Sequence, residues 1–534
     1  SKLSTPNPIP IPSPPKSSHQ QQQQTRSQEE SMATPEDCGA SWLLYLSLAA
    51  KCGGGDDNPL RLAGLIAVCA AACVLTCVLH WCVPGGPAWG RWWWTRRAGL
   101  KGATVVIPKG PRGLPVIGSM WLMTGLAHRK LAAAADRVGA RRLMAFSLGE
   151  TRMLVAAHPD VAREILNSPA FADRPVKESA YGLLFHRAIG FAPHGAYWRA
   201  LRRVASTHLF SPWQVAASAP QRAVIARQMV TAILSDATST AAAVEVRRVL
   251  RRASLHNVMW SVFGRRYDLG GKESEEVREL GHLVDEGYDL LGLLNWSDHL
   301  PWLARFDLQS TRARCSRLVP RVNRFVARII HDHRSSSPNS AVKDFTDVLL
   351  SLDGADSLAD SDITAVLWEM VFRGTDTVAV LMEWVLARLV LHPPGPLLSW
   401  ARLATSDVHV DGFLIPAGTT AMVNMWAIAH DPEVWAEPTE FLPDRFLGTE
   451  PAAELSIMGS DLRLAPFGAG RRSCPGKSLA MATVAFWLAT LLHELEFLPS
   501  ADPARGVNLD EKLRLSCEMA APLAVTPRPR RPAC

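Results

Sequence analysis

The chain has 534 residues, of which 48% are hydrophobic and 20% charged, and its formal net charge is +7. These values are ordinary for a globular protein, and a chain of this length can bury a large core. No dense basic patch with interleaved aromatic residues occurs, so we expect no nucleic-acid partner. The ten cysteines form no CxxC pair and lack the regular spacing of a secreted framework, which favours a reducing compartment.

Residues 1–31 are rich in proline, serine and glutamine, and Gln20 to Gln24 form an unbroken run. A segment of this composition cannot bury a core, so we predict that it is disordered. Met32 then opens the sequence Met-Ala-Thr-Pro-Glu-Asp, which indicates that residues 1–31 are a translated leader. A genuine disordered tail is the alternative. Residues 32–59 are predicted to form a short luminal segment.

Residues 60–83 are predicted to form a transmembrane anchor, because Leu62 to Leu79 is an apolar run of 18 residues without a charge. Arginines and tryptophans follow it in a basic, Pro-rich hinge at 84–115, and we interpret those tryptophans as interfacial. The positive charge after the span places the larger, C-terminal part in the cytosol. A cleaved signal peptide is the alternative, but no small-residue cleavage site is clear.

Residues 116–526 are predicted to be one domain, mostly α with small β sheets, followed by a basic tail at 527–534. No fixed repeat period occurs along this stretch. Helical periodicity is found over 125–138, 158–167, 195–208, 219–265, 273–293, 311–335 and 361–391, and strand-like runs lie near 141–156 and 408–423.

The segment Phe467-Gly-Ala-Gly-Arg-Arg-Ser-Cys-Pro-Gly476 carries the clearest chemistry. A thiolate can hold a haem iron, and Cys474 can supply it, while the glycines, including Gly470 and Gly476, let the backbone approach a flat macrocycle. Phe467 can shield the sulfur, Arg472 can pair with a propionate, and a helix that starts after Pro475 directs its positive end at the thiolate. The alternative, a buried free cysteine in a glycine-rich turn, rarely produces so many fixed residue types by chance.

This segment matches the signature Phe-x-x-Gly-x-Arg-x-Cys-x-Gly, and the chain resembles the cytochrome P450 family from the Pro-rich hinge to near the C-terminus. Phe372-Arg-Gly-Thr-Asp-Thr-Val378 and Phe191-Ala-Pro-His-Gly-Ala-Tyr-Trp-Arg199 are similar to the plant KLUH type, which is associated with organ growth and can hydroxylate fatty acids. The resemblance implies the cytochrome P450 fold and a haem b (iron-protoporphyrin IX) cofactor with Cys474 as the iron ligand.

The same resemblance implies a membrane-anchored monooxygenase that inserts one oxygen atom from O₂ into an apolar small molecule. Electrons would come from NADPH–cytochrome P450 reductase, and the single-pass protein would lie in the endoplasmic reticulum membrane. The residues at the expected substrate pocket are apolar: Phe372, Leu397 and Leu398.

Further roles follow from the resemblance alone. On the helix at 361–391, Gly374 would leave a groove beside the iron, Asp376 would act as an acid and Thr377 would supply a hydroxyl for proton delivery. An ordinary helix with a polar face is the alternative. The residues expected to hold the haem propionates together with Arg472 are Trp198, Arg202 and Arg402.

One family element is missing between Thr377 and Arg445. Family members carry a Glu-x-x-Arg helix there, and its charges lock with the arginine of a Pro-x-Arg-Phe turn, here Arg445. The Glu-x-x-Arg sequences at 245–248 and 275–278 lie upstream and therefore in the wrong order. The chain passes from the end of one helix into Pro393-Pro-Gly-Pro396, which predicts an internal deletion near 390–393.

Three functions remain open at this point. The first is the monooxygenase, and the second is a haem-thiolate isomerase that does not use O₂, whose members usually lack the threonine that Thr377 supplies. The third is a non-catalytic or defective isoform that cannot hold haem stably. The deletion favours the third over the second, because it is expected to leave Arg445 as an unpaired buried charge, at a cost of about 3–5 kcal/mol.

Overall fold

The computed structural model of the chain describes residues 59–99, 106–240, 243–269, 271, 274–335, 344–387, 397, 401–447, 452, 454–499 and 507–530. The predicted leader, nearly all of the predicted luminal segment and the predicted deletion junction at 390–393 lie outside these residues. The chain divides into two compact units, 1–76 and 77–534, and the larger unit carries the globular fold.

Helix α1, Pro59–Trp81, contains the predicted anchor. Its segment Ala63–Trp81 has a mean hydropathy of 2.3, and none of it is buried against the rest of the protein. An unbroken apolar helix of this length matches the thickness of a bilayer core. By length and composition, this helix can therefore cross a membrane.

The segment expected to be a hinge contains a helix, α2 (Pro87–Gly99), that packs on the domain. Trp89 on α2 is fully buried, and its indole N–H donates to the carbonyls of Phe146 at 3.1 Å and Met153 at 3.2 Å. The interpretation of Trp89 as an interfacial residue is therefore wrong, because its ring is part of the protein core. Trp94 is 39% exposed.

The domain is mostly helical, as the sequence predicts. The further helices are α3 (Ala127–Arg137), α4 (Pro159–Asn167), α5 (Glu178–Gly182), α6 (Ala196–His208), α7 (Pro212–Ala217), α8 (Ala219–Thr240), α9 (Val246–Phe263), α10 (Glu275–Gly292), α11 (Thr311–Ser335), α12 (Phe345–Leu350), α13 (Asp360–Ala387), α14 (Met425–Ala429) and α15 (Lys477–Glu494). Short 3₁₀ turns occur at Met120–Met123, Pro169–Phe171, Phe185–Arg187, Trp296–Asp298, Pro301–Phe306, Gly354–Asp356, Pro443–Phe446 and Gly470–Arg472.

The strands are short: β1 (Leu143–Leu148), β2 (Thr151–Ala156), β3 (Val244–Glu245), β4 (Arg402–Leu403), β5 (Val408–Val410), β6 (Phe413–Ile415), β7 (Thr420–Val423), β8 (Leu495–Pro499), β9 (Glu511–Leu513), β10 (Cys517–Met519) and β11 (Ala524–Pro529). Within the described residues they form four sheets. The largest has the order β1-β2-β7-β4, with β2 and β7 parallel and the other pairs antiparallel. A three-stranded sheet has the order β3-β11-β8, and β5–β6 and β9–β10 are hairpins.

Two boundaries differ from the sequence prediction. The helix predicted over 219–265 is two helices, α8 and α9, because Val244 and Glu245 leave the helical path to pair with β11. The predicted basic tail begins inside the domain, since residues up to Pro529 lie in β11 and pair with β8. Both differences involve strand pairing between distant segments, which local periodicity does not report.

Helix α13 is buried in the core of the domain along most of its length. It packs along α9, and its buried residues include Trp368 and Phe372, which lie in the largest core cluster with Phe185 and Tyr288. The ring of Phe372 lies 4.4 Å from that of Tyr288 and 5.1 Å from that of Phe185. Phe372 is only 1% exposed, so it fills the core, in contrast to the expected pocket position.

Candidate functional site

The thiolate loop, residues 467–476, is held in a tight and specific conformation. The backbone N–H of Cys474 donates to the carbonyl of Phe467 at 2.9 Å, which closes the loop. Gly468 and Gly470 have φ values of +67° and +70°, which residues with a Cβ rarely adopt. A Cβ at Gly468 would meet no atom within 4 Å, whereas one at Gly470 would lie 2.0 Å from the carbonyl of Leu166. Gly468 therefore borders open space, and Gly470 fits the loop against the end of α4.

Helix α15 begins at Lys477, with Gly476 as its N-cap residue, as the sequence predicts. A Cβ at Gly476 would lie 3.1 Å from the ring of Phe210, so this glycine also serves packing. The helix N-terminus presents its positive end to Cys474 two residues earlier. Phe467 is half-buried beside the loop.

The thiol of Cys474 is half-buried and feels opposing influences. Burial raises its pKa, and this is the largest effect. Arg373, the backbone N–H of Gly476, Arg202 and Lys477 all act to lower it. The thiol is therefore surrounded by groups that favour its negative form, and an iron ion would add to them.

Arg472 and Trp198 lie in contact beside the thiolate loop. Arg472 is buried and donates to the carbonyls of Ala172, Ile189 and Ala192 at 3.0, 3.2 and 2.7 Å. Its guanidinium lies 4.2 Å from the centre of the Trp198 ring, and the indole N–H of Trp198 donates to Ile189 at 2.9 Å. These contacts fix the loop that follows α5 against the thiolate loop.

Arg202 and Arg402 complete the predicted set. Arg202 donates to the carbonyl of Ser473 at 2.6 Å, directly before Cys474. Arg402 on β4 is 6% exposed, and burial together with Arg472 and Arg202 lowers its pKa to about 9. Burial lowers the pKa of Arg472 to about 10, and Arg202 acts in the same direction. Three arginines predicted from separate segments therefore lie close enough to repel one another.

Sequence reasoning missed two further cations and one acid. Burial, Arg402 and Arg472 hold the pKa of Arg174 well below its ordinary value. Arg373 on α13 lies near Cys474 and 3.4 Å from Glu369, whose buried carboxylate accepts the N–H of Gly190 at 2.8 Å. Arg373 lies in the segment 372–378 that is similar to the plant KLUH type but has no predicted role there, and Arg174 lies in no motif.

Five arginines surround the thiolate loop: Arg174, Arg202, Arg373, Arg402 and Arg472. They interact electrostatically with one another, and the acids that act on them include Glu369 and Asp173. Arg402 and Arg472 are buried, and the other three are half-buried. A haem fits this arrangement, because its propionates would supply negative charge to arginines and Cys474 would supply the iron ligand.

The predicted oxygen-activation residues point in different directions. Asp376 is buried and accepts from Ser516 at 2.6 Å and from Arg251 at 2.9 Å. Thr377 is exposed, and its hydroxyl donates to the carbonyl of Arg373 at 3.2 Å, one turn earlier on α13. Asp376 and Thr377 are neighbours on α13, but the side chain of Asp376 is bound by Arg251 and Ser516, which the sequence did not indicate.

Gly374 has a packing role that the sequence did not predict. A Cβ at this position would lie 2.5 Å from the side chain of Val258, so the missing side chain makes room for α9. The groove beside an iron stays a prediction. Of the two remaining pocket candidates, Leu397 is partly buried against the cluster around β1, and Leu398 lies outside the described residues.

Arg445 does not show the expected unpaired buried charge. It is half-buried and donates to the carbonyls of Leu442, Ala436, Glu437 and Glu440 at 2.7–3.3 Å. Its guanidinium also lies 6.0 Å from the ring of Trp435. Among the described residues no carboxylate pairs with it, and the absence of a Glu-x-x-Arg partner stays a prediction. The expected cost is wrong, because local carbonyls satisfy the guanidinium.

Cys517 is a buried cysteine outside the thiolate loop. Its thiol on β10 lies near His128 and Glu511, and burial raises its pKa to about 12. Glu511 already accepts from His128 at 3.0 Å and from Arg129 at 2.7 Å. Because Cys517 lies on a strand and not in a glycine-rich loop, Cys474 is the better candidate for an iron ligand.

Comparison with known proteins agrees with this geometry. The family model described as Cytochrome P450 matches residues 108–395 and, separately, residues 391–505. The protein named "Cytochrome P450 78A9" from Arabidopsis thaliana is 56% identical over 544 aligned positions, which cover 94% of this chain and 99% of that protein. "Cytochrome P450 78A3" from Glycine max is 53% identical and covers 92% of this chain and 98% of its own length.

The alignment with "Cytochrome P450 78A9" is longer than the part of this chain that it covers. The 94% of this chain that aligns with "Cytochrome P450 78A9" is about 502 residues, so about forty of the 544 aligned positions have no counterpart here. The more distant "Flavonoid 3'-monooxygenase" from Arabidopsis thaliana is 30% identical over 79% of the chain. With the thiolate loop, the arginine shell and these matches together, the chain belongs to the cytochrome P450 family, as a plant member of the 78A type.

Proposed function

We propose that this chain is a membrane-anchored haem-thiolate monooxygenase that inserts one oxygen atom from O₂ into an apolar substrate. The observation that carries the proposal is the group of buried and half-buried arginines around the thiolate loop, together with membership of a monooxygenase family. Cys474 would hold the iron of haem b. Trp198, Arg202, Arg402 and Arg472 would hold the propionates.

When bound, the haem would supply the iron chemistry that activates oxygen. The residues of this chain would then transfer protons and limit the access of water. The Thr377 hydroxyl, exposed on α13, would pass a proton through its oxygen, and Asp376 would accept and release protons while Arg251 and Ser516 hold its carboxylate in place. Phe467 would limit access of water to the sulfur, which keeps the thiolate a strong electron donor.

Substrate, electron supply and location are proposed by analogy with the family. A fatty acid matches the expectation of an apolar small molecule, and NADPH–cytochrome P450 reductase would deliver electrons. Helix α1 would anchor the chain in the endoplasmic reticulum membrane as a single span, with the domain in the cytosol. A protease added outside sealed microsomes should therefore degrade the domain, and protection of the domain would reverse this orientation.

The direct test is the absorption spectrum of the reduced, CO-bound protein. The chain should give a haem-thiolate band, and Cys474→Ser should abolish it while leaving the attachment to membranes unchanged. Cys517→Ser is the matched control, because it removes a buried thiol outside the thiolate loop. Retention of the band in Cys474→Ser, or its loss only in Cys517→Ser, would refute the ligand assignment.

A second candidate function has its own observation. The family model matches in two pieces that meet at residues 391–395, and about forty aligned positions of a close relative have no counterpart in the chain. Both facts favour an internal deletion near 390–393. In this second reading, the chain is a non-catalytic isoform that cannot hold haem stably. Absence of the haem-thiolate band in the unmodified chain, and its recovery on inserting the missing segment, would select this candidate.

A further inference from the structure

Three side chains from distant parts of the sequence meet in a buried cluster outside the candidate haem site. They are His128 on α3, Glu511 on β9 and Cys517 on β10, and we name them the His–Glu–Cys cluster. The side chains of His128 and Glu511 are fully buried, and Cys517 is 2% exposed. An imidazole nitrogen, a carboxylate oxygen and a sulfur are the donor atoms that bind zinc in proteins.

The strand register places two of the donors on one face of a hairpin. β9 and β10 are antiparallel, with Glu511 opposite Met519 and Cys517 opposite Leu513. Because Cys517 is two positions from Met519, its side chain points to the same face as that of Glu511. His128 lies over this face, with its Nε2 atom 3.0 Å from a carboxylate oxygen of Glu511. The fold alone therefore brings the three donors together.

The separations of the donors suit a tetrahedral ion. Zinc bonds of about 2.0–2.1 Å to nitrogen and oxygen and about 2.3 Å to sulfur place the donors about 3.3–3.6 Å from one another. The donor atoms of the cluster all lie within 4.8 Å of one another, and those of His128 and Glu511 are already 3.0 Å apart. Side-chain rotations that move each donor by about 1 Å would complete the geometry.

The charges of the cluster also suit a divalent ion. Arg129 donates to Glu511 at 2.7 Å, but its own side chain is 48% exposed, so solvent can stabilise its charge. When the zinc–sulfur bond forms, the thiol of Cys517 releases its proton to solvent. The positive charge of the ion then equals the negative charge of one thiolate and one carboxylate. Metal binding would therefore leave no net charge among the buried ligands.

His128 has a binding capacity that the protein does not use. Its Nδ1 atom is buried, and no hydrogen-bond partner for it lies among the described residues. Buried polar atoms without a partner are uncommon, and each one calls for a reason such as an ion. A bond to a metal would compensate the burial of this ring more fully than its single side-chain hydrogen bond to Glu511 does.

We propose that the His–Glu–Cys cluster is a zinc site that fixes the β9–β10 hairpin to α3. Its nitrogen and sulfur donors disfavour Mg²⁺ and Ca²⁺, which take oxygen ligands. The hairpin also contacts α13: Ser516 donates to Asp376 at 2.6 Å, and Trp384 donates to the carbonyl of Cys517 at 2.9 Å. By holding the hairpin, the ion also holds Ser516 beside Asp376.

A second group of donors provides a matched control. His333, Asp344 and Asp347 also have donor atoms within 4.8 Å of one another, but all three are half-buried. Their hydrogen bonds already serve the start of α12, where Asp344 accepts the N–H of Asp347 at 3.0 Å and lies 2.8 Å from Nε2 of His333. This group contains no sulfur, so we expect it to bind zinc more weakly than the His–Glu–Cys cluster.

The first test titrates the full-length chain, with its thiols reduced, with Zn²⁺ in competition with a chelator of known affinity. The chain should bind one zinc ion tightly. Cys517→Ser and His128→Gln should each weaken this binding by more than the roughly 10–100-fold that loss of an outer-shell partner costs. His333→Gln, and Cys315→Ser at a buried thiol elsewhere, should leave it unchanged. Equal affinity in the unmodified chain and in Cys517→Ser, or a loss only in His333→Gln, would overturn the proposal.

X-ray absorption at the zinc edge identifies the ligands directly. The unmodified chain should show one sulfur at about 2.3 Å and nitrogen or oxygen neighbours at about 2.0–2.1 Å, and Cys517→Ser should lose the sulfur. No sulfur, or several, would place the ion elsewhere and refute the site. Zinc at about 100 times its Kd should raise the unfolding temperature of the unmodified chain by several degrees but not that of Cys517→Ser. A rise of equal size in both chains would also count against the site.

The haem-thiolate band separates this site from the proposed function, because Cys474 and Cys517 belong to different parts of the fold. If zinc binds with one sulfur and no haem-thiolate band appears, the zinc site stands and the monooxygenase function fails. If the band appears and no zinc binds in the His–Glu–Cys cluster, the function stands and the zinc site fails.

Discussion

Helices α13 and α15 both border the candidate haem site, but they are covered to different degrees. α13 contains several charged residues and is nevertheless buried along most of its length, because each buried acid has a partner. The pairs are Asp362 with Arg187, Glu369 with Arg373, Asp376 with Arg251 and Glu383 with Arg247. α15 is mostly apolar, with its charged residues near its two ends, and one of its sides is exposed. Burial of a helix therefore depends on the neighbours that the chain supplies, and the composition of the helix alone does not predict it.

The largest effect should come from removing an acid of α13. Glu383 is fully buried, accepts from Arg247 at 2.6 Å and accepts the N–H of Leu523 at 2.9 Å. Glu383→Ala should lower the free energy of unfolding by about 3–5 kcal/mol, because it removes a fully buried carboxylate and leaves the largely buried Arg247 with a more distant acid, Glu518 at 3.6 Å. Urea denaturation measures this loss. A change below about 1 kcal/mol would mean that the ion pairs of α13 do not explain its burial.

The two sides of α15 should respond unequally to truncation. Trp487 is fully buried and donates to the carbonyl of Arg222 at 3.1 Å, whereas its neighbour Phe486 is 43% exposed. Trp487→Ala should cost about 3–5 kcal/mol, and Phe486→Ala should cost no more than about 0.5 kcal/mol. Denaturant midpoints of the two variants give the comparison directly. Similar losses would show that α15 is covered on both sides.

A smaller, pH-dependent effect should come from His256 on α9, the helix that packs along α13. His256 is 2% exposed, and burial, followed by Arg252, lowers its pKa to about 4, while Asp268 opposes this shift. The folded chain therefore binds this proton less readily than the unfolded chain. The stabilising contribution is complete above the unfolded pKa of about 6.5 and is lost as the pH falls towards 4.

Removing this histidine should flatten the pH dependence. At pH 5 the contribution lost is about 2 kcal/mol, so His256→Phe should reduce the difference in unfolding free energy between pH 7 and pH 5 by about that amount. His299, whose pKa burial also lowers to about 4, remains as an internal control. An unchanged difference between the two pH values would show that His256 is accessible to protons in the folded chain.

The smallest effect on stability should come from Thr377. Its side chain is exposed and bonds only within its own helix, so Thr377→Ala should change the unfolding free energy by less than about 0.5 kcal/mol. In any haem-loaded form, the same change should increase peroxide release and decrease product for each electron consumed. Unchanged product for each electron would remove Thr377 from the proton path.

The sequence predicted most helices and the thiolate loop well, and the reasons are local. Helical periodicity located α3, α4 and α6 to within about two residues, since each buries one side against the domain. The thiolate loop was predicted from glycines and a cysteine at fixed spacing, and the structure gives those glycines positive φ values or close packing. Arg202, Arg402 and Arg472 were predicted from the family resemblance, and the structure places them close together.

Most of the errors concern partners that are distant in sequence. The basic neighbours of Trp89 along the chain predict an interfacial residue, yet Trp89 packs on strands β1 and β2. Local periodicity predicts a helix at β3, because its partner, β11, lies nearly three hundred residues away. Arg174 and the bond between Arg251 and Asp376 leave no local signal. Arg445 differs from these cases: the missing Glu-x-x-Arg helix predicts an unpaired charge, but carbonyls three to nine residues away accept from its guanidinium.

The same distances affect the order in which the site can form during synthesis. Arg472 bonds to Ala172, and the two residues are 300 positions apart. At about 5–20 residues per second, the ribosome needs tens of seconds to reach Arg472 after it has made Ala172. During that interval the carbonyls of the early segment face solvent or temporary partners. The cysteine that would hold the iron is thus among the last parts to arrive, so the cofactor would have to be loaded near the end of translation or after it.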